Sequence, residues 1–254
     1  MERVRVRRAT KADLAAIHVW LKDEKARAVP GNFLCNWSII EKAQKQGRLL
    51  VYIDPASSQP IAFQLGGLLN SGILAVREEH RGKGIGRQFV EYFVRAANRK
   101  REPVLRIQCS PSQSIPFWER MGFVPCVGET DDCYHRVLPK KLKIPKAAVP
   151  TKVVIRFFPQ ERNWAIGAIA PYETHEVAGY RSSNGVVYLT DRIVFADGAQ
   201  ANAREVVVEI EVDGRSIYCQ KAKYDRAKAF GVKRGRNGYY IDEINVDCGV
   251  DPLE

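Results

Sequence analysis

Apolar positions in the first part of the chain switch between two periods. Residues 3–8, Arg-Val-Arg-Val-Arg-Arg, alternate at period two and predict a strand; Thr10 then caps a helix whose Leu14, Ile17 and Leu21 fall at helical spacing. A second helix is predicted near 37–46, ending at Gly47, and residues 49–53 and 61–65 read as strands joined by the turn-rich segment 54–60. Residues 73–76 form a short apolar strand. From Gly84 the apolar residues Ile85, Phe89, Tyr92, Phe93 and Ala96 repeat on one helical face, and that helix runs to the basic cluster Arg99-Lys100-Arg101. Residues 104–108 predict a strand, 115–121 a short helix closed by Gly122, and 123–127 and 134–138 two further strands. The pattern is α+β, with a mostly antiparallel sheet and one central strand–loop–helix unit.

The texture then changes. Residues 139–152 carry three prolines and five lysines without an acid, the composition of an exposed semi-rigid linker, so a boundary is expected at 140 and a linker over 141–152. Beyond it, 153–158, 164–170, 186–189, 193–195, 206–212, 216–221 and 239–244 read as strands separated by turn signals such as Ser183-Asn184-Gly185, Asp213-Gly214 and Asn237-Gly238. These predict a second, all-β or mostly β domain over 153–254, with Trp164 and Tyr172 in its core.

Composition narrows the function classes. No run approaches the roughly 18 to 20 apolar residues of a membrane span, and the amino terminus opens on alternating charge, so a cytoplasmic protein is expected. The six cysteines form no C-x-x-C pair and the histidines no i, i+4 pair, which argues against a metal site and leaves only a convergence of Cys126, Cys133 and His135 to consider. The formal net charge of +11 favours an anionic partner. It is unevenly spread: residues 1–140 hold 23 Lys and Arg against 14 Asp and Glu, residues 141–254 hold 17 against 15.

The most informative stretch runs from Gly72 to Arg87: an apolar strand, a glycine-rich basic loop and the start of the amphipathic helix. Glycines at 82, 84 and 86 allow a tight turn and leave backbone N–H groups uncovered, the helix adds its positive end, and Arg81, Lys83 and Arg87 add charge. That is a cradle for a pyrophosphate. The spacing is neither G-x-x-x-x-G-K-[ST] nor G-x-G-x-x-G.

Arg81-Gly82-Lys83-Gly84-Ile85-Gly86 resembles the [QR]-x-x-G-x-[GA] signature of the GNAT superfamily of N-acetyltransferases, and Pro116-Phe117-Trp118-Glu119-Arg120-Met121-Gly122-Phe123 is similar to its second segment. The resemblance covers residues 3–138 and implies acetyl-CoA as co-substrate. It assigns the backbone of Leu74, Ala75 and Val76 to the pantetheine arm, residues 81–87 (Arg81, Gly82, Lys83, Gly84, Ile85, Gly86, Arg87) to the pyrophosphate, and the Val76 N–H to polarising the thioester carbonyl.

Two departures matter. The strand before the loop lacks the glutamate that family members often use as general base; Glu78 and Glu79 follow it instead, as expected of a solvated loop. Trp118 stands where many members carry a tyrosine acid, leaving that role to water or to the hydroxyl of Ser112 or Ser114. The expected activity is acetyl transfer to the amine of a protein, a polyamine-like metabolite, an aminoacyl-tRNA or a nucleobase; the alternative is an acyl-CoA-sensing or partner-binding module with a weakened catalytic domain. Lys221, Lys223, Lys233 and Arg234, interleaved with Tyr218, Tyr224, Phe230, Tyr239 and Tyr240, are the candidate acceptor-binding residues, with a nucleic acid among the partners considered and a solvated strand edge as the competing reading.

Overall fold

The computed structural model describes residues 6–69, 72–164, 168–201 and 203–246. Contacts divide the chain into two compact units, one of Met1–Lys100, Leu105–Val124 and Asp132–Arg136, the other of Arg101–Val104, Pro125–Asp131 and Val137–Glu254. The expected boundary at 140 is therefore replaced by an interleaved division. The α+β character of the first part and the mostly β character of the second are as the patterning indicates.

In the first unit, β1 (Val6–Arg8), β2 (Leu50–Ile53), β3 (Pro60–Leu65) and β4 (Ile73–Val76) form an antiparallel sheet in sequence order. Helix α1 (Lys11–Ala26) starts at a full capping box, in which the Thr10 hydroxyl accepts from the Asp13 N–H and the Asp13 carboxylate accepts from the Thr10 N–H. Ile17, Trp20 and Leu21 of α1 and Ile40 and Ala43 of α2 (Trp37–Lys45) pack on Val51, Phe63 and Leu65. Tyr52, on the opposite sheet face, meets Phe89 of α3 (Ile85–Arg99). β3 is buried throughout, as a central strand with both faces covered must be. Strand β5 (Val104–Gln108), helix α4 (Ile115–Arg120), and strands β6 (Val124–Pro125) and β7 (Cys133–Val137) follow, with β7 between β5 and β6 in a separate three-stranded sheet. β6 is shorter than the strand predicted over 123–127.

The second unit holds β8 (Val149–Phe158), β9 (Glu173–Arg181), β10 (Val186–Ala196), β11 (Val207–Val212), β12 (Arg215–Lys221), α5 (Asp225–Ala229), β13 (Val232–Gly235) and β14 (Gly238–Asn245). The strands make one antiparallel sheet in the order β12-β11-β8-β9-β10-β14-β13. Val153, Ile155 and Phe157 point into the core with Val208, Ile210 and Val212 of the paired β11, while Arg156 on the other face bonds Glu209 and Glu211, both at 3.0 Å.

Four expectations change here. The linker expected over 141–152 is largely built into this unit: Lys141 bridges Asp191, the Leu142 N–H donates to the Thr190 carbonyl, and β8 already begins at Val149. The separate strands at 186–189 and 193–195 are one strand, whose polar Thr190-Asp191-Arg192 is an irregularity in the pairing with β14 and not a turn. β9, β13 and α5 are not in the predicted set, because β9 carries polar residues on both faces and is held by pairing with β8 and β10. Of the strand expected over 164–170, residues 165–167 lie outside the described residues and 168–170 form no strand; Trp164 is 59% exposed, not core, and Tyr172 is only partly buried against the core.

Two measurements probe this unit. A Cβ at Gly179 would lie 2.6 Å and 2.7 Å from methyl groups of Val187 and Val153, so Gly179→Ala is expected to lower stability by about 1–3 kcal/mol through overpacking, read by chemical denaturation. The Arg192 guanidinium, 1% exposed, forks onto Asp242 at 2.7 and 2.8 Å and lies 4.1 Å from the centre of the Tyr240 ring. Burial pushes the Asp242 carboxyl up, but the bonds from Arg192 and the charges of Arg192, Lys140 and Lys233 outweigh it and hold it below the usual range. A depressed folded value means that this stabilisation is present above the unfolded value of about 4 and is lost as pH falls through the folded one. Asp242→Asn is expected to cost about 3–5 kcal/mol at neutral pH by stranding the buried guanidinium, and to flatten the loss of stability below about pH 4, measured by denaturation across pH.

Candidate functional site

β4 is the last strand of its sheet, so one side of its backbone has no strand partner there among the described residues. The Arg77 N–H donates to the Ile61 carbonyl at 2.9 Å, which identifies 61 and 77 as a hydrogen-bonded pair. Antiparallel pairs alternate, so Phe63–Ala75 is also hydrogen-bonded, while Ala62–Val76 and Gln64–Leu74 are not. The N–H groups of Leu74 and Val76 therefore point out from the open edge. Ala75 does not share this position: its backbone groups belong to the ladder with Phe63 and its side chain is buried in the core.

The chain leaves β4 through a short turn at Glu78–His80 and enters α3 at Gly84. Arg81 closes this loop, its Nε donating to the Val76 carbonyl at 3.0 Å and its Nη1 to the Pro30 carbonyl at 3.1 Å. Two of its donors thus hold backbone, while the side chain also lines the cavity described below. Glu78 is bonded to Arg27, and its N–H donates at 2.8 Å to the buried carboxylate of Glu24; Glu79 pairs with Arg77 at 2.7 Å. Both glutamates fix the turn.

Gly84, at φ 80°, is the N-cap of α3 and offers no capping side chain, so the first N–H groups of the helix are left without one. A Cβ there would meet nothing within 4 Å, so the backbone angle and not crowding demands glycine. At Gly86 the reason is proximity, since a Cβ would sit 3.2 Å from the Phe117 ring of α4.

These parts surround a cavity of about 910 Å³. Leu74, Val76, Gly82, Gly84, Ile85 and Gly86 line one side, and Gln113, Ser114, Phe117, Trp118 and Met121 the other. The ionisable lining residues are His80, Arg81, Arg87 and Arg120; among the described residues no carboxylate lines it. Arg87 also pairs with Glu91 at 2.8 Å. Lys83 is exposed in the loop and is not part of the lining, nor is Ala75. Trp118 is buried edge-on between Phe117 and Phe123. The Ser114 Oγ is buried without a hydrogen-bond partner among the described residues. The resemblance places the helix at 114–121 over the thioester without singling out Phe117 or Met121, although 114, 117, 118 and 121 are spaced i, i+3, i+4, i+7 and mark one helical face.

The candidate acceptor residues are differently disposed. Lys221 and Lys223 both bond Glu205, at 2.8 and 2.6 Å; Lys233 bonds Glu243 at 2.8 Å; and Arg234 forks onto the buried Asp197 at 2.7 and 2.6 Å. Their positive charge is answered within the unit. Tyr218, Phe230, Tyr239 and Tyr240 are buried, leaving Tyr224 as the exposed aromatic of that set. Among the described residues no group of three or more His, Cys, Asp or Glu converges to hold a metal, Cys126, Cys133 and His135 included, and Cys248 lies outside them. Burial, with Asp132, Cys133 and Glu119 adding to it, pushes the Cys109 thiol up to about 12. No helix among the described residues is long and apolar enough to cross a membrane.

The profile described as an acetyltransferase (GNAT) domain matches residues 37–125. Solved structures similar to this chain include a GNAT-family acetyltransferase from Staphylococcus aureus Mu50, at 10% identity and TM-score 0.41 over 53% of this chain and 99% of that one. A GNAT-family N-acetyltransferase from Escherichia coli in complex with CoA matches at 18% identity and TM-score 0.39, over 54% and 84%. N-acetylglutamate synthase from Neisseria gonorrhoeae, complexed with coenzyme A and N-acetyl-glutamate, matches at 12% identity and TM-score 0.41, over 54% and 36%. No curated protein matches the chain.

The Arg81 clamp is open to test. Arg81→Ala removes two bonds to backbone carbonyls, each worth about 1 kcal/mol or more for a charged donor, and is expected to speed amide exchange across residues 77–84 about tenfold or more while leaving α1 and β3 protected. Unchanged exchange would show that the loop is held by Glu24 and Arg27 alone.

Proposed function

We propose, from the premise that residues 37–125 carry a GNAT acetyltransferase domain, that this protein transfers the acetyl group of acetyl-CoA to an amine. The observation that carries this reading is the meeting, in one cavity, of an open strand edge, an uncapped helix N-terminus and a purely basic ionisable lining. The outward N–H groups of Leu74 and Val76 suit the amide-bearing pantetheine arm. The first turn of α3, with Arg87 and Arg120, suits the phosphates.

In this reading the Val76 N–H polarises the thioester carbonyl, and Phe117 and Trp118 exclude water from it. The neutral amine attacks the carbonyl carbon, a C–N bond forms, the C–S bond breaks with its electron pair going to sulfur, and the amine loses one proton. With no carboxylate in the lining among the described residues, water is the proton acceptor in this reading, and the rate gain comes from holding an already activated thioester beside the amine. The second unit is proposed to recognise the acceptor. Lys223, half-exposed on Glu205, can exchange its partner for a phosphate more readily than Arg234, whose partner Asp197 is 3% exposed.

Release of free thiol from acetyl-CoA with a mixed panel of amines tests the reaction; tight CoA binding without turnover on any of them would instead favour the sensing module. Gly84→Asp places a carboxylate at the N-cap of α3 and strains a φ of 80°, and is expected to weaken CoA binding about a hundredfold or more by calorimetry. Wild-type affinity in that variant would end the assignment.

A further inference from the structure

We propose that Trp164 and the cations around it form a binding surface for single-stranded nucleic acid. The surface lies wholly in the second unit, so the proposal does not rest on the acetyl-transfer reading. Phe158 of β8, Val207 of β11 and Lys221 of β12 are consecutive partners across three strands, a transverse row on the sheet face opposite Phe157 and Val208 of the core. The short turn Gln160–Asn163 that follows β8 packs against β11. It sets the Arg162 guanidinium 5.2 Å from the centre of the Phe158 ring at one end of that row, and the Trp164 indole 5.8 Å from the Lys221 ammonium at the other. Trp164 is held there by its own N–H, which donates to the Glu161 carbonyl at 3.0 Å, yet it is 59% exposed. With the ammonium over one face of the indole, most of the ring is still left to solvent.

An indole left in water forgoes one of the largest apolar burials open to a side chain, and a place at the centre of a protein interface would need an apolar surround. Here the surround is polar, since Arg162, Asn163, Arg204 and Lys223 are all exposed. Lys221 and Lys223 share the single carboxylate of Glu205, which leaves one positive charge over. Arg162 and Arg204 make no ion pair among the described residues, so the balance stays positive against the exposed Glu161. Tyr224, 45% exposed at the start of α5, adds a second aromatic, its N–H donating to the Lys221 carbonyl at 3.2 Å. Open ring faces among exposed cations fit a chain whose bases stack and whose phosphates need counter-charge. That chain is a single strand, because a duplex keeps its base faces inside.

The test is fluorescence anisotropy of the full chain against a labelled oligothymidylate of about twelve nucleotides, repeated between about 50 and about 200 mM salt. Wild type is expected to bind it, to lose affinity as salt rises and to show quenched tryptophan emission on binding. Trp164→Ala should weaken binding about tenfold or more at every salt concentration without changing the salt slope, since stacking neutralises no phosphate. Trp164→Phe should keep most of the affinity and lose most of the quenching. Arg162→Gln should reduce the salt slope by about 0.7 and leave the quenching in place. Both side chains are exposed, so the thermal midpoint of each variant should match wild type. Wild-type affinity in Trp164→Ala, an unchanged slope in Arg162→Gln, tighter binding of the matching duplex, or no binding by wild type at the lower salt would overturn the proposal. So would polyglutamate bound as tightly and with the same dependence on Trp164, which would make the partner an acidic protein. Thiol release from acetyl-CoA is read separately, so none of these outcomes bears on the acetyl-transfer reading.

Discussion

The open edge of β4 is the constraint on which the site depends. A strand that ended its sheet and was then covered would leave no surface with regularly spaced, outward N–H groups, and a strand paired on both sides would leave none at all. Here the alternation fixed by the Arg77–Ile61 bond turns Leu74 and Val76 outward. The Arg81 guanidinium takes the Val76 carbonyl and brings the loop back over the same edge. The strand's free donors and the first turn of α3 consequently border one cavity.

Charge in this protein is used in two ways. Around the β4–α3 loop, Arg27, Arg77 and Arg81 are spent on holding backbone and glutamates, while His80, Arg87 and Arg120 join Arg81 in the lining of the cavity. In the second unit the same kinds of residue are matched to carboxylates: Arg156 to Glu209 and Glu211, Arg192 to Asp242, Arg234 to Asp197. Removing either member of the Arg192–Asp242 pair would leave an uncompensated, largely buried charge. The local density of lysine and arginine over 221–236 is therefore a poor guide to a free basic surface.

Much of the first unit was legible because its elements announce themselves locally. Thr10 with Asp13, the apolar stripe of α3 and the glycines before it depend on neighbours within a few turns, and the loop from Arg81 to Gly86 carries its chemistry in its own backbone. Apolar runs bounded by turn signals likewise found most of β11 and β14 and parts of β8 and β12. β9 was illegible, since Glu173, Thr174, His175 and Glu176 give no alternation and only pairing with β8 and β10 makes them a strand.

What the sequence alone determined is thus the glycine-rich turn into α3, the helical face of 114–121 and the two textures of the chain, because each is a short-range pattern. Tertiary structure alone decided which charges are answered, with Glu205 set on Lys221 and Lys223, and Arg81 turned to the backbone. It also decided that Trp164 is exposed and that the Ser114 hydroxyl makes no hydrogen bond among the described residues, with Ser114 itself in helical conformation and a proline two residues on. Residue type sets what a side chain can bond; only the fold sets what comes within reach of it.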